Sequence, residues 1–313
     1  PIECGQGGIH CDGECCDMKM TYIPKIQGNM KGYKTIYTTR ATSRIIDGSY
    51  NSIYKGRSMN FDELREYVVG DDIKDVDWKA SSRSQKILVR QYIAEKKHNL
   101  MLVMDAGRKM LANANETQEK REIALMAAGT LAYMVGSNGD FVSCTYAAKD
   151  GVKHFPFKTG LMNVENILAA YNSDVNVDCR SGISQSLEFI IRNFRRRMIM
   201  LIVTDAEGIV EIDEGLIRQL KVIHDILLVK VSDADAMGKR VFDMENDMYI
   251  PDFFGKDKKL ARIESQRRMQ LERQCSDKLK KLGVSCVCVS ELENIEERIV
   301  DLLGRHKNES SLR

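Results

Sequence analysis

The sequence predicts an α/β protein in which helices flank a parallel β-sheet. From Asn99 onward, short apolar runs alternate with segments whose apolar residues recur at helical spacing. Two of these runs, Leu100–Met104 and Met198–Thr204, are almost wholly apolar, which is typical of strands that are buried on both faces. Because the alternation continues over about 200 residues, we expect a parallel sheet wrapped by helices.

Each predicted element rests on its own residue pattern. Short apolar runs predict strands at 87–92, Leu100–Met104, Phe141–Ala147, Met198–Thr204, Asp225–Val231 and Val284–Val289. Apolar residues at helical spacing predict helices at Arg121–Val135, Val164–Tyr171, Ile183–Phe194, Glu214–Leu220, Leu260–Leu282 and Leu292–Leu303. Earlier in the chain, Phe61, Leu64 and Tyr67–Val68 suit a short helix, and the four residues from Val69 predict a turn.

The strength of these patterns divides the chain into four segments. Residues 1–50 are a poorly defined N-terminal segment, because their periodicity is weak. Residues 51–98 are a motif region that is rich in Arg, Asp and Gly and contains the single Trp of the chain. Residues 99–304 are the α/β domain, and residues 305–313 are a polar tail.

Composition and charge narrow the classes of function. The 313 residues are 43% hydrophobic and 29% charged, which is the balance of a soluble globular protein. A net charge of +2 gives no bulk attraction to nucleic acid. No apolar run approaches the ~20 residues that span a bilayer, so we expect a cytoplasmic protein without a membrane span.

Seven of the nine cysteines fall into two groups. Those in apolar strand-like runs are interpreted as core residues in a reducing compartment, and they are Cys144, Cys286 and Cys288. The second group lies close to the start of the chain and lacks the paired CxxC spacing of zinc sites. It consists of Cys4, His10, Cys11, Cys15 and Cys16. We interpret this group as part of a reduced tail, with a metal site as the alternative.

The motif region carries a long signature, FDELREYVVGDDIKDVDWKASSR from Phe61, followed by KILVRQY from Lys86. Together these stretches closely resemble the signature of domain-of-unknown-function family fifty-eight. Members of that family are bacterial proteins with a von Willebrand factor A-like domain, often encoded beside MoxR-type AAA+ ATPases. The signature positions in this sequence are Arg65, Gly70, Asp71, Asp72, Asp77 and Trp78.

The resemblance extends over roughly residues 56–231 and implies both a fold and a role. The implied fold is a von Willebrand factor A-like (Rossmann-like) parallel sheet flanked by helices, with a smaller N-terminal motif region. The implied role is protein interaction without a cofactor, with an AAA+ ATPase of the MoxR type as the partner. We therefore predict a non-enzymatic adaptor that helps to assemble or remodel a target complex.

The resemblance also assigns the positions of a metal site. Domains of the von Willebrand factor A type bind Mg²⁺ through a DxSxS motif, a separate Thr and a further Asp. The corresponding positions here are Asp105, then Gly107 and Lys109 in place of the two serines, and Thr204 with Asp205. Gly107 brings no oxygen, and the Lys109 ammonium would repel a cation by roughly 4 kcal/mol at 4 Å. We therefore expect a degenerate site without metal.

Two roles remain open for the charged groups at these positions. Lys109 is expected to pair with Asp105 or Asp205 and to take the place of the ion, with Ser181 or Ser184 as a candidate for a further hydroxyl. The alternative is that the two aspartates only cap the following loops or helices by accepting backbone N–H groups.

A competing hypothesis is a metal-dependent hydrolase built on an acidic cluster in the motif region. The cluster consists of Asp71, Asp72, Asp75 and Asp77. A simpler account is that these carboxylates pair with nearby guanidinium groups and hold the region in shape. The arginines in question are Arg65, Arg83 and Arg90. We favour this structural role, and we interpret Trp78 as an anchor that packs the motif onto the sheet.

Other patterns give little support for catalysis or for nucleic-acid binding. The sequence contains no G-x-S-x-G elbow, P-loop or G-x-G-x-x-G motif. The segment from Lys256 to Lys281 contains ten Lys or Arg residues and four Asp or Glu residues, and Arg195–Arg197 is a second basic run. We interpret the basic helix as a solvated face, with an acidic protein or a nucleic acid as alternative partners.

Overall fold

The computed structural model describes residues 20–30, 59–84, 86–94, 97–115, 117–233, 242–243, 248–249 and 258–311. Within these ranges the strands are β1 Met59–Glu66, β2 Leu88–Ala94, β3 Asn99–Met104, β4 Phe141–Ala148, β5 Gly151–Lys158, β6 Ile199–Asp205, β7 Asp225–Val231, β8 Phe242–Asp243, β9 Met248–Tyr249 and β10 Ser285–Val289. The α-helices are α1 Tyr22–Asn29, α2 Trp78–Ser84, α3 Lys120–Ser137, α4 Leu161–Asp174, α5 Ile183–Asn193, α6 Ala206–Glu211, α7 Glu214–Ile223, α8 Lys258–Leu282 and α9 Ile295–Ser311. The N-terminal group of cysteines lies outside the described residues.

Six strands form the central sheet, in the order β10-β7-β6-β3-β4-β5. All neighbouring pairs are parallel except β4 and β5, which pair antiparallel at one edge. The first strand along the chain in this sheet, β3, lies in its middle, as in doubly wound α/β folds. The predicted fold class, an α/β protein with a mostly parallel sheet flanked by helices, is confirmed.

The central strands are buried on both faces. Successive side chains of β3 enter two different apolar clusters, with Leu100 and Leu102 in one and Met101 and Val103 in the other. Helices α1, α3, α4 and α9 contribute to the first cluster, and α5, α6, α7 and α8 contribute to the second. Burial on both faces explains why these strands are continuous apolar runs rather than alternating ones.

Helix α1 packs against the first face, in a segment where the sequence predicted no helix. Glu165 of α4 is buried and accepts hydrogen bonds from the backbone N–H groups of Tyr22 and Ile23, each with an N···O distance of 2.9 Å. Ile26 is also buried, and a Cβ on Gly129 would lie only 2.6 Å from Ile26 Cδ1. A carboxylate and a close contact from distant residues therefore hold this short helix.

The motif region forms a separate antiparallel pair of strands, β1 with β2. The prediction of a short helix from Phe61, Leu64 and Tyr67–Val68 is wrong. Residues 59–66 form strand β1, which pairs with β2. The register of this pairing shifts between Phe61 and Glu63, as it does at a β-bulge. The predicted turn is present, and Gly70 adopts a φ of 114° within it.

Trp78 does not have the position that its sequence context indicated. It begins α2 and its side chain is 65% exposed, so the prediction that it anchors the motif onto the sheet is wrong. The buried contacts of this region come instead from Val76 and Val89, which face each other in an isolated antiparallel bridge. The valine pair fills the inner side of the region, and the larger indole ring stays on its surface.

The other predicted strands and helices of the α/β domain are present, with small differences at their ends. The edge strand β5 was not predicted, and it contains Pro156, a residue that sheets tolerate mainly at their edges. The division of the chain into four segments stays a prediction. None of the described helices is long and apolar enough to cross a membrane.

Candidate functional site

Two aspartates meet at the edge of the sheet where its parallel strands end. Asp105 directly follows β3, and Asp205 is the last residue of the neighbouring strand β6. The backbone N–H of Asp105 donates to the carbonyl oxygen of Val203 at 3.0 Å, which extends the pairing of the two strands. Both aspartate side chains are buried. Open α/β sheets place ligand-contacting residues at this edge.

Three polar groups hold the carboxylate of Asp105. Thr204 Oγ1 donates to Asp105 Oδ2 at 2.7 Å, and the backbone N–H of Gly107 donates to Oδ1 at 3.0 Å. Ser181 Oγ lies 3.5 Å from Oδ2, at the limit of a hydrogen bond. Ser181 is therefore the predicted serine that the structure places beside this aspartate, and the orientation of the carboxylate is fixed from both sides.

The ammonium group of Lys109 lies between the two carboxylates. Its Nζ is 3.2 Å from Asp105 Oδ2, 3.0 Å from Asp205 Oδ1 and 3.7 Å from Glu211 Oε2. Burial by itself lowers the pKa of Lys109, but attraction to the two aspartates outweighs burial and leaves the pKa above its ordinary value. Lys109 therefore carries its positive charge at neutral pH.

A second lysine, Lys120, joins the same network. Its Nζ lies 3.0 Å from Asp205 Oδ2 and also contacts Asp233, two residues beyond β7. Burial tends to raise the pKa of Asp205, but Lys120 and Lys109 outweigh burial and lower it to about 2. The two lysines therefore connect the ends of three adjacent strands, β3, β6 and β7. Lys120 was missed because a lysine that opens an apolar helix is normally a solvated residue.

Two glycines make the close approach of these groups geometrically feasible. A Cβ on Gly208 would overlap Thr204 Oγ1 and would lie 3.0 Å from Lys109 Nζ. A Cβ on Gly107 would lie 2.8 Å from both the backbone N and the Cα of Ser181. Real Cβ atoms do not approach other heavy atoms so closely, so both positions require glycine.

The residues around Lys109 do not fit a bound divalent cation, although their oxygens are of the type that Mg²⁺ prefers. The ammonium group already lies between the two carboxylates, and an ion there would meet its positive charge at close range. In the part of the chain that the structure describes, no three His, Cys, Asp or Glu side chains converge as metal ligands do. The arrangement instead joins strand ends through paired charges.

Replacing Asp205 with Asn should weaken the acid dependence of stability. The pKa of Asp205 is about 2 in the folded protein, below its ordinary value of 3.8. This carboxylate therefore stabilises the fold above pH ~4 and loses its contribution as the pH falls through 2. The wild type should lose about 2 kcal/mol of unfolding free energy from this group between pH ~5 and ~2, measured by urea unfolding.

The control for this experiment is Asp150→Asn, which removes an exposed carboxylate. That variant should follow the wild-type pH dependence, whereas Asp205→Asn should show a shallower slope. Equal slopes for all three proteins would contradict the assignment of the shift to Asp205.

Three aspartates of the acidic cluster in the motif region make local contacts. Asp71 accepts two hydrogen bonds from Arg65, with N···O distances of 2.6 and 2.7 Å, and this pairing lowers the pKa of Asp71 to about 2. Asp72 and Asp77 each accept a backbone N–H and so begin the turn and the helix that follow them. The convergence of carboxylates that a metal-dependent hydrolase needs is not found among the described residues.

The basic runs are partly engaged within the protein. Arg197 forms an ion pair with Asp225, at an N···O distance of 3.0 Å. On α8, Lys278 donates to the backbone carbonyl oxygen of Val210. Most of the described side chains of α8 are exposed, as expected for a solvated face. Binding of nucleic acid or of an acidic protein to this helix stays an untested alternative.

This is an α/β protein with two aspartates at one edge of its sheet. It also has an antiparallel strand pair that contains the long signature sequence. A family model described as "Protein of unknown function DUF58" matches residues 63–240, which is more than half of the chain. The chain belongs to this family. The match begins within β1 and continues past β7, so it includes most of the motif region and the network of lysines and aspartates.

Curated relatives are found in mycobacteria. The uncharacterized proteins Mb1516 of Mycobacterium bovis, and MT1527 and Rv1480 of Mycobacterium tuberculosis, are each 25% identical to this chain over 191 residues. The matched stretch covers 60% of this chain and 60% of each relative, so these proteins are similar over less than two thirds of their length.

Two solved structures are similar in part. The conserved hypothetical protein BatB from Bacteroides thetaiotaomicron has a TM-score of 0.44 and 14% identity, and the match covers 67% of this chain and 99% of that one. A von Willebrand factor type A protein from Catenulispora acidiphila has a TM-score of 0.42 and 9% identity, with 71% and 45% covered.

Proposed function

We propose that this protein is a cytoplasmic, non-enzymatic adaptor that acts with an AAA+ ATPase of the MoxR type in the assembly or remodelling of a target complex. The observation that carries the proposal is the exposure of apolar side chains in the motif region. Twelve large hydrophobic side chains are exposed among the described residues, and five of them lie between residues 68 and 87. They are Val68, Val69, Ile73, Trp78 and Ile87. Exposed apolar side chains that are concentrated in one region mark interaction sites.

The signature residues shape the turn that exposes part of this surface. Arg65 and Asp71 pair across the turn, and Asp71 Oδ2 also accepts the backbone N–H of Val68 at 2.9 Å. Val69, at the tip of the turn, is 95% exposed. The same residues therefore carry the family signature and present apolar side chains to solvent. A surface built by the signature is suited to a partner that members of the family share, and this supports the choice of an ATPase.

The chemistry of the sheet edge supports the non-enzymatic part of the proposal. Lys109, Lys120 and Thr204 engage the two aspartates, and the backbone amides of Gly107 and Gly208 complete their hydrogen bonds. A general acid or base needs an ionisable group that reaches substrate and exchanges a proton near neutral pH. Asp205, which is buried and has its pKa lowered to about 2 by Lys120 and Lys109, does not meet this requirement.

A binding measurement with a purified MoxR-type ATPase from the same organism tests the proposal. The full chain should bind the ATPase in the presence of ATP and Mg²⁺, and the double variant Val69→Asp/Trp78→Ala should weaken binding by about 30-fold or more. Tryptophans at the centre of interfaces commonly contribute about 2 kcal/mol or more to binding, and a charge at Val69 would be desolvated on contact. Surface plasmon resonance measures the two affinities.

Val222→Asp is the matched control, because Val222 is 84% exposed and lies on α7 in the α/β domain. It should leave the affinity unchanged. Failure of the wild type to bind the ATPase would overturn the choice of partner. Binding that the double variant and the control affect equally would overturn the choice of surface.

A further inference from the structure

We propose that the ammonium group of Lys109 fills a built cation site at the sheet edge, and that shortening this side chain turns the edge into a binding site for a divalent cation. The site consists of oxygens from Asp105, Asp205, Thr204 and Ser181. The inference concerns the sheet edge alone and does not depend on the identity of the partner proposed above.

The first argument is the position of the charged atom. The Nζ atom of Lys109 is itself buried, and it lies 3.2 Å from Asp105 Oδ2 and 3.0 Å from Asp205 Oδ1. The Thr204 hydroxyl is bonded to the same Asp105 oxygen at 2.7 Å. Carboxylate oxygens around a buried positive centre, with a hydroxyl bonded to one of them, are the ligand type that hard divalent cations take.

The second argument is that the oxygens are held in place without Lys109. The backbone N–H of Gly107 fixes Asp105 Oδ1 at 3.0 Å, and that of Gly208 fixes Asp205 Oδ1 at 2.9 Å. Lys120 holds the second oxygen of Asp205. Loss of the Lys109 side chain therefore leaves both carboxylates near their present positions and opens the space between them.

The third argument is the balance of charge. Four carboxylates contact the two lysines, from Asp105, Asp205, Glu211 and Asp233. With Lys109 and Lys120 present, the local sum is minus two, and without Lys109 it is minus three. Like charges this close repel strongly when they are buried, so the edge without Lys109 should attract a cation from solution. Glu211 is 54% exposed at its side chain and marks the side from which a hydrated ion would enter.

This arrangement gives the wild-type edge a property that a metal-loaded edge lacks. A cation that is covalently part of the chain cannot be removed by a chelator or diluted out. The strand ends therefore keep the same charge and geometry at every concentration of Mg²⁺. Any contact that the edge makes should be insensitive to chelation.

Thermal unfolding of Lys109→Ser in MgCl₂ or MnCl₂ tests the proposal. At ~10 mM cation, well above the ~1 mM dissociation constants of weak oxygen sites, the variant should gain about 4 °C in Tm and the wild type should gain nothing. Calorimetric titration with MnCl₂ should show one ion bound per variant chain. Adding Asp205→Asn to Lys109→Ser should abolish both effects.

A second variant keeps the proposal testable if Lys109→Ser does not fold. Lys109→Gln keeps a hydrogen-bonding side chain and brings an amide oxygen in place of the ammonium group, so it should also bind Mn²⁺. Either variant that folds and binds no ion at ~10 mM overturns the proposal. So does a wild type that binds Mn²⁺ as well as the variants do. Failure of both variants to fold even with ~10 mM MnCl₂ also overturns it, because a bound ion should replace the lost charge.

Discussion

Replacing Lys109 with Met should lower the free energy of unfolding by about 3–5 kcal/mol, the usual cost of removing one member of a buried ion pair. Asp205 keeps Lys120 as a partner in this variant, but Asp105 keeps only hydroxyl and amide donors. Its side chain is completely buried, so water cannot replace the lost ammonium group. Urea unfolding at neutral pH measures the loss.

A double variant separates the lost charge from the lost packing. Lys109→Met combined with Asp105→Asn removes both charges and should recover most of the loss, since burying two neutral groups is nearly neutral. Lys149→Met is the surface control, because Lys149 pairs with Asp178 where both side chains are 60% exposed, and it should cost less than about 1 kcal/mol. If Lys109→Met lowers the free energy of unfolding by no more than Lys149→Met does, the buried ammonium group adds little to stability.

Replacing Gly107 with Ser should destabilise the protein by about 2–3 kcal/mol, the upper part of the range for overpacking. The added Cβ would lie 2.8 Å from the backbone N and Cα of Ser181, and backbone atoms cannot move aside as a flexible side chain can. A serine at this position matches the metal-binding pattern in sequence, but it should not supply a ligand in this protein. The loss is measurable by urea unfolding or as a fall in Tm.

Gly304→Ser is the matched control for this substitution, because a Cβ on Gly304 meets nothing within 4 Å. Gly304 lies within α9, where serine has a higher helix propensity than glycine, so the control should be neutral or slightly stabilising. Equal stability of Gly107→Ser and the wild type would show that the two loops separate at little cost. In that case Gly107 would have no steric role.

The core of the sheet was predictable because burial leaves a local pattern. Leu100–Met104 and Met198–Thr204 are apolar because both faces of β3 and β6 are covered, and this requirement acts on consecutive residues. The order of strands and helices then places the residues that follow these strands at one edge. Asp105 and Asp205 were therefore candidates for a shared site before any distance was known.

The motif region and α1 were less predictable because their stability comes from contacts beyond the local sequence. Phe61 and Leu64 are three residues apart, a spacing that suits a helix, but pairing with β2 makes this stretch a strand. Helix α1 contains Pro24 and Gly28 and has weak helical propensity, and a carboxylate from α4 stabilises its start. Tertiary contacts outweighed propensity in both places.

The sequence by itself determined the α/β class, the course of the central strands and the presence of two aspartates and a lysine at the sheet edge. Only the tertiary structure decided how these charges pair, that Lys120 joins them and that Gly107 is required by a backbone approach. The reason is distance along the chain. Thr204 and Asp105 are 99 residues apart and Lys120 and Asp205 are 85 apart, so no local pattern records their contact. Apolar burial repeats along a strand, whereas a salt bridge or a close approach depends on where two separate segments meet.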